Sequence, residues 1–185
     1  MNRYRRHIAA TAALLPALGW LPSRAEDQAM NNAQNLMLSS FADGQLVVPE
    51  GSGWRGFSDR VMGGISDAEL ATDSVGGRDC LRLTGTVTRE SNGGFIQMAY
   101  FFGNNYAMLD GSAYAGIELL VYGNNEDYNV HVRTKDCGWY DESYRYTFTA
   151  PDEWTRIRIA WDEFKPNDVS VPLDPSTLQR IALLG

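Results

Sequence analysis

The chain has 185 residues, 16 of them basic and 23 acidic, for a formal net charge of −7. Four of the basic residues (Arg3, Arg5, Arg6 and Arg24) precede every acidic one, so the part beyond residue 25 holds 12 basic against 23 acidic residues, a formal −11. That balance excludes a long-range attraction to nucleic acid or anionic lipid, which needs a cationic field. The roughly 160 residues that carry it suit one domain with its own core.

At the N-terminus Arg3, Arg5 and Arg6 form a basic head, and residues 8–21 are an apolar run interrupted by Thr11, Pro16 and Gly19. Ser23-Arg24-Ala25 then sets small residues at the two positions a signal peptidase reads. This order predicts a secretory signal over residues 1–25, cleaved near Ala25, and a periplasmic or otherwise exported protein. The run falls short of the roughly 20 residues of a membrane-spanning helix, so no stable span is expected after cleavage. Residues 26–37 are polar and aperiodic and read as a flexible leader. Residues 38–185 are then the folded domain.

In that domain Gly, Asn, Asp and Pro punctuate short alternating runs, which predicts an all-β sandwich or barrel. Side chains along a strand point alternately to its two faces. Leu81 and Leu83 therefore share a face, as do Ile117, Leu119 and Val121, then Tyr128, Val130 and Val132. Tyr144, Tyr146 and Phe148 repeat the pattern, followed by Ile157, Ile159 and Trp161; residues 161–164 close a turn before Pro166.

The opposite faces of the last three strands carry Asn129, His131 and Arg133, then Arg145 and Thr147, then Arg156 and Arg158. If these strands lie side by side, they form one polar face with four arginines. A solvated outer face is the ordinary reading of such a pattern. Like charges stacked across strands destabilise a sheet unless acids or an anionic ligand offset them, which points to a binding face. Trp139 and Tyr140 sit in the loop between two of these strands with Asp136, Asp141 and Glu142. They would place aromatic platforms and acids at the rim, where binding residues gather.

The most specific segment is W-R-G-F-S-D-R-V-M-G-G-I-S at residues 54–66. Ser58, Asp59, Arg60, Gly63 and Gly64 predict a tight turn, because Gly permits positive φ and Ser and Asp bond nearby N–H groups. An Asp59–Arg60 ion pair is the expected lock, with Phe57 and Met62 beneath it. This motif is followed by N-G-G-F at 92–95, Y-N-V-H-V-R-T at 128–134 and S-Y-R at 143–145. W-T-R-I-R-I-A-W-D-E-F-K-P at 154–166 and L-D-P-S-T-L-Q-R-I at 173–181 complete the series. In this order, over residues 38–185, the motifs resemble the complex I intermediate-associated protein 30 family.

The resemblance implies a galactose-binding-like jelly-roll β-sandwich and a non-catalytic binding or scaffold module, an accessory or assembly factor of a respiratory complex. An exported chain would be delivered away from the side on which the matrix arm of that complex forms. The resemblance also implies one further strand beyond residue 185. The edge that strand would cover is expected to result from truncation or to be covered by the N-terminal segment or a partner.

Beyond residue 25 the chain has a single histidine, His131, no G-x-S-x-G, and two cysteines, Cys80 and Cys137, outside any metal-ligand spacing. Triad chemistry and zinc both ask for more than this, so no catalytic residue, metal or cofactor is expected. Export would permit a Cys80–Cys137 disulfide, and two unpaired thiols are equally ordinary. The expected partner is a protein or a polar glycan. The alternative is a carbohydrate-binding module or a glycan-acting enzyme using the loop carboxylates Asp141 and Glu142.

Overall fold

Strands with one apolar face bury it by stacking two sheets, and the alternation above is realised in that form. The computed structural model describes residues 3–16, 36–38, 52–90 and 93–185. One sheet contains β1 (Arg3–Pro16), β2 (Leu36–Met37), β4 (Asp67–Val75), β5 (Arg78–Thr88), β7 (Tyr114–Tyr122) and β10 (Thr155–Ala160). Their order is β10-β7-β1-β5-β4, with β2 paired to β1. The other contains β3 (Gly53–Ser58), β6 (Ile96–Phe101), β8 (Glu126–Thr134), β9 (Ser143–Ala150), β11 (Lys165–Asn167) and β12 (Leu178–Leu184), in the order β11-β9-β8-β12-β6-β3. The two are called the β1 sheet and the β8 sheet below. Every described ladder is antiparallel. The all-β jelly-roll class read from the sequence is therefore the fold.

The core lies between the sheets. Leu83, Ile117, Val121 and Ile159 from one meet Met98, Tyr128, Val132, Tyr144 and Ile181 from the other, all essentially inaccessible. Buried tyrosines are tolerated because their hydroxyls reach acceptors. Tyr128 Oη lies 2.7 Å from the His7 carbonyl, and Tyr144 Oη lies 3.0 Å from that of Val171. Cys80 and Cys137 are both buried and unpaired.

β1 departs from the sequence reading, which set residues 1–25 outside the folded domain. Arg3–Pro16 lies between β5 and β7, with ladders on both sides. Ile8, Ala10, Ala12 and Leu14 face the core. A short, alanine-rich apolar run serves equally as the hydrophobic part of a signal and as a strand buried on both faces, and periodicity does not separate the two. Ala25 and most of the predicted leader lie outside the described residues. Leu38, the first residue after the predicted leader, donates its N–H to the Ala12 carbonyl at 3.0 Å and accepts from Trp54 Nε1 at 3.1 Å.

β10 is the second departure. It pairs with β7 in the β1 sheet, while β9 takes β11 as its outer neighbour. The crossing is anchored by Trp154, whose Nε1 donates to the Val75 carbonyl at 2.8 Å and whose ring meets Tyr122 edge-on. Alternation assigns a strand's faces and leaves its neighbour open.

Candidate functional site

Ladder register fixes which outward side chains stand together. Across the β8 sheet, Arg145, His131, Ala182, Ala99 and Arg55 form one row. Arg133, Arg180 and Phe101 form the next row on one side. Thr147, Asn129, Leu184, Gln97 and Phe57 form the row on the other. The two alanines keep the floor low between the long side chains of the flanking strands.

Two depressions open on this face. One, of about 940 Å3, is lined among others by Gln97, Asn129, His131, Tyr140, Arg145 and Arg180. The second, of about 560 Å3, is lined among others by Arg55, Phe101, Asn105, Tyr106, Tyr140 and Arg180. Tyr140 and Arg180 belong to both, so the two adjoin, and together they are called the cleft below. A separate depression of about 660 Å3 lies on the β1 sheet around Arg5, His7 and Arg82, and no Trp, Tyr or Phe lines it.

The structure brings Asn129, His131, Arg133 and Arg145 together as the sequence pattern predicts, with Tyr140 at their rim. Trp139 and Tyr140 are 72% and 71% exposed. Arg156 and Arg158 are elsewhere. They lie on β10 in the opposite sheet, where both guanidiniums pair with Glu118, at 3.2 and 2.9 Å. The four-arginine face expected from three adjacent strands is therefore split between the sheets. In the cleft, the place of Arg156 and Arg158 is taken by Arg55 from β3 and Arg180 from β12. Sequence reasoning passed over these two because neither strand is next to β8 or β9 in the chain. The available signal was Arg180 alternating with the core positions Ile181 and Leu183.

The arginines of the cleft differ in what holds them. Arg133 donates to the carbonyls of Cys137, Trp139, Tyr140 and Glu142 at 2.7–3.1 Å. It is a clamp on the 137–142 loop. The Glu142 carboxylate closes the same loop from within, accepting from the N–H groups of Gly138 and Trp139 at 2.6 and 2.8 Å. Arg145 is steadied by Ser143 Oγ at 3.0 Å and the Asp141 carbonyl at 3.1 Å. Arg180 is half-buried, and its Nε has no hydrogen-bond partner. Burial and the facing Arg133 push its pKa down to about 10. His131 is half-buried; its desolvation, and then the charges of Arg145, Arg180 and Arg133, push its pKa down to about 3, so it is a neutral imidazole at physiological pH. Among the described residues no carboxylate pairs with Arg55, Arg133, Arg145 or Arg180.

The turn at one end of the cleft is built on Asp59. Its carboxylate, wholly buried, accepts from Ser66 N at 2.9 Å, Gly94 N at 2.7 Å and Phe95 N at 3.4 Å, and from the Ser66 hydroxyl in a very short bond. Burial pushes the carboxyl up. The Ser66 hydroxyl and the three N–H groups outweigh that and hold it below the usual carboxylate range. A Cβ at Gly64 or Gly93 would come within 2.5 Å of the Asp59 carboxylate, so both glycines are required by close approach. Gly63, at φ 89°, closes the 3-10 turn Asp59–Met62, and Ser58 caps its start. The lock is therefore Asp59 with backbone N–H groups. Arg60 pairs outward with Asp67 and the Ser66 carbonyl. Met62, expected beneath the turn, is 42% exposed, and Phe57 lies edge-on to Phe101 on the outer face.

Among the described residues, no group of three or more His, Cys, Asp or Glu could hold a metal ion, and no helix is long and apolar enough to cross a membrane.

Residues 40–184 match the family described as Complex I intermediate-associated protein 30 (CIA30). No curated protein matches the chain. Among solved structures, the family 11 carbohydrate-binding module of the cellulosomal cellulase Lic26A-Cel5E of Clostridium thermocellum is similar. Its TM-score is 0.57 at 17% identity, over 77% of this chain and 80% of that one. The same organism's family 11 module in complex with a β-1,3-1,4-mixed-linked tetrasaccharide gives 0.57 at 16% identity, over 78% and 82%. At such identities the likeness is one of fold.

Proposed function

The chain belongs to the complex I intermediate-associated protein 30 family, and from that premise we propose that it is a non-catalytic binding module whose cleft on the β8 sheet takes a polar glycan. The observation that carries this is the cleft's composition. The exposed ring of Tyr140, with Trp139 beside it, adjoins a floor edged by Gln97, Asn129, neutral His131 and Arg145. Sugar recognition combines an apolar ring face with fixed hydrogen-bond donors and acceptors. A solved module of similar fold is in complex with a tetrasaccharide, which supports the reading.

The non-catalytic part rests on Glu142. A two-carboxylate glycosidase needs both acids free to act. Glu142 is engaged by two backbone N–H groups within its own loop, which speaks against the Asp141–Glu142 pair.

Export is proposed from the N-terminal pattern, and N-terminal sequencing of the secreted protein tests it. A start after Ala25 would support export and require another strand to fill the place of β1. A protein that keeps residues 3–16 would retain β1 and overturn cleavage.

The family description favours a second reading, an accessory role on a membrane complex through the same face. Electrophoresis of the native chain through gels holding soluble polysaccharides separates the two. Retardation in at least one gel, lost in Tyr140→Ala at unchanged melting temperature, is the expected result. No retardation in any gel, together with co-purification of a respiratory-complex subunit, would replace the glycan reading with the second one.

A further inference from the structure

Cation–cation contacts inside the cleft point to a narrower ligand class. Arg180 and Arg133 are directly opposite in the β12–β8 ladder, where like charges cost stability. Arg55 and Arg180 come from the two strands that flank β6, and both stand over the Phe101 ring, 4.8 and 5.6 Å from its centroid. Two guanidiniums thus converge on one aromatic ring, and among the described residues neither meets a carboxylate. Three arginines of the other sheet are treated differently, Arg156 and Arg158 sharing Glu118 and Arg82 taking Asp73.

The charge distribution has the same sense. The two halves of the cleft are lined by Arg6, Arg55, Arg133, Arg145 and Arg180 against Asp127 and Asp141, in a chain whose net charge is −7. Both aspartates lie in the larger half; no acidic residue lines the smaller one around Phe101. Arg133 is occupied by carbonyls, which leaves Arg55 and Arg180 as the donors able to take an anion there. A planar guanidinium fork fits a carboxylate in two parallel hydrogen bonds. Gln179, Asn104 and Asn105 in the same half supply neutral donors and acceptors for hydroxyls.

We propose that Arg55 and Arg180, held over Phe101, seat the carboxylate of a uronate unit, so that the glycan this module binds is an acidic one. The proposal rests on the glycan reading above. The uronate would sit in the smaller half of the cleft, with the neighbouring sugars against Tyr140 and along the larger half.

Calorimetric titration of the full chain with three oligosaccharides of equal length, a tetragalacturonate, a neutral gluco-tetraose and a sulfated tetrasaccharide, tests it. The tetragalacturonate is expected to bind at least about tenfold more tightly than the neutral sugar, and its affinity to fall as salt is raised. Arg55→Gln, an exposed position that will fold, and Arg180→Gln, checked by its melting curve, should each weaken the uronate about tenfold or more. In each variant the loss for the uronate should exceed the loss for the neutral sugar by about tenfold. Equal affinity for acidic and neutral sugars, insensitive to both substitutions, would overturn the uronate seat while the glycan module stands. Tighter binding of the sulfated sugar would overturn the carboxylate assignment. Binding of none of the three, in a chain that other polysaccharides also fail to retard, would remove both readings.

Discussion

The outer faces of the two sheets both carry arginines, and they differ in how those charges are met. On the β1 sheet Arg156 and Arg158 converge on Glu118 and Arg82 on Asp73. On the β8 sheet Arg145 and Arg180 stand around an imidazole held neutral, Arg55 shares the Phe101 ring with Arg180, and among the described residues no carboxylate answers them. Arginines paired internally need nothing from outside. Those of the β8 sheet, left unmatched and partly desolvated, are arranged for a ligand at some expense in stability. The same contrast separates Arg133, which is saturated by loop carbonyls, from Arg180 one strand away.

The contrast can be pressed by substitution, beginning with the scaffold common to both faces. A chain starting at residue 26 loses all three ladders of β1 and four core side chains. Its thermal transition is expected to fall further than in any single substitution, as circular dichroism would record. An unchanged transition would mean that β1 contributes nothing to the sandwich. Next in size is Asp59→Ala. It strands three backbone N–H groups and the Ser66 hydroxyl in a buried site and is expected to cost about 3 kcal/mol in denaturant melts. Its folded carboxyl lies below the unfolded value near 4. The stability it provides is therefore present above that pH and lost as pH falls through the folded value.

Arg133→Ala is expected to cost about 2 kcal/mol by releasing the 137–142 loop, and to weaken ligand binding through that loop. Arg180→Met should do the opposite for stability, raising it by about 1 kcal/mol as an unmatched, half-buried charge gives way to an apolar chain. It should abolish the uronate preference. Arg158→Met, the matching change on the paired face, is expected to lower stability by about 0.5 kcal/mol and to leave binding intact. If Arg180→Met also destabilised the protein, the two faces would not differ in the way described.

His131 adds a pH signature on the cleft side. Its folded pKa of about 3 lies below the ordinary histidine value near 6.5. The unfolded chain therefore takes up a proton first as pH falls. Stability should decline from about pH 6.5 downward, at up to about 1.4 kcal/mol per pH unit. His131→Gln should flatten that decline in urea melts between pH 7 and 5.

Much of this was legible in the sequence. Alternation placed Tyr128, Val130 and Val132 inward and Asn129, His131 and Arg133 outward, and the ordered motifs carried the family and hence the jelly roll. The split of the arginine face was not legible. Nothing local distinguishes β10 continuing the β8 sheet from β10 crossing to pair with β7, since the deciding contact is Trp154 against Val75, 79 residues apart. Arg55 and Arg180 escaped for the same reason: they meet over Phe101 only after three non-consecutive strands are aligned. At the N-terminus the ambiguity is chemical, because alanine suits both a signal and a buried strand.

The most direct test of the binding face is hydrogen exchange of the native chain with and without an oligosaccharide that it retains. Ligand-dependent protection confined to β3, β6, β8, β9, β12 and the 137–142 loop is the result expected here. Protection on β10 and β7 around Glu118, or around Arg5 and Arg82 on the β1 sheet, would place binding on the other face and contradict the account.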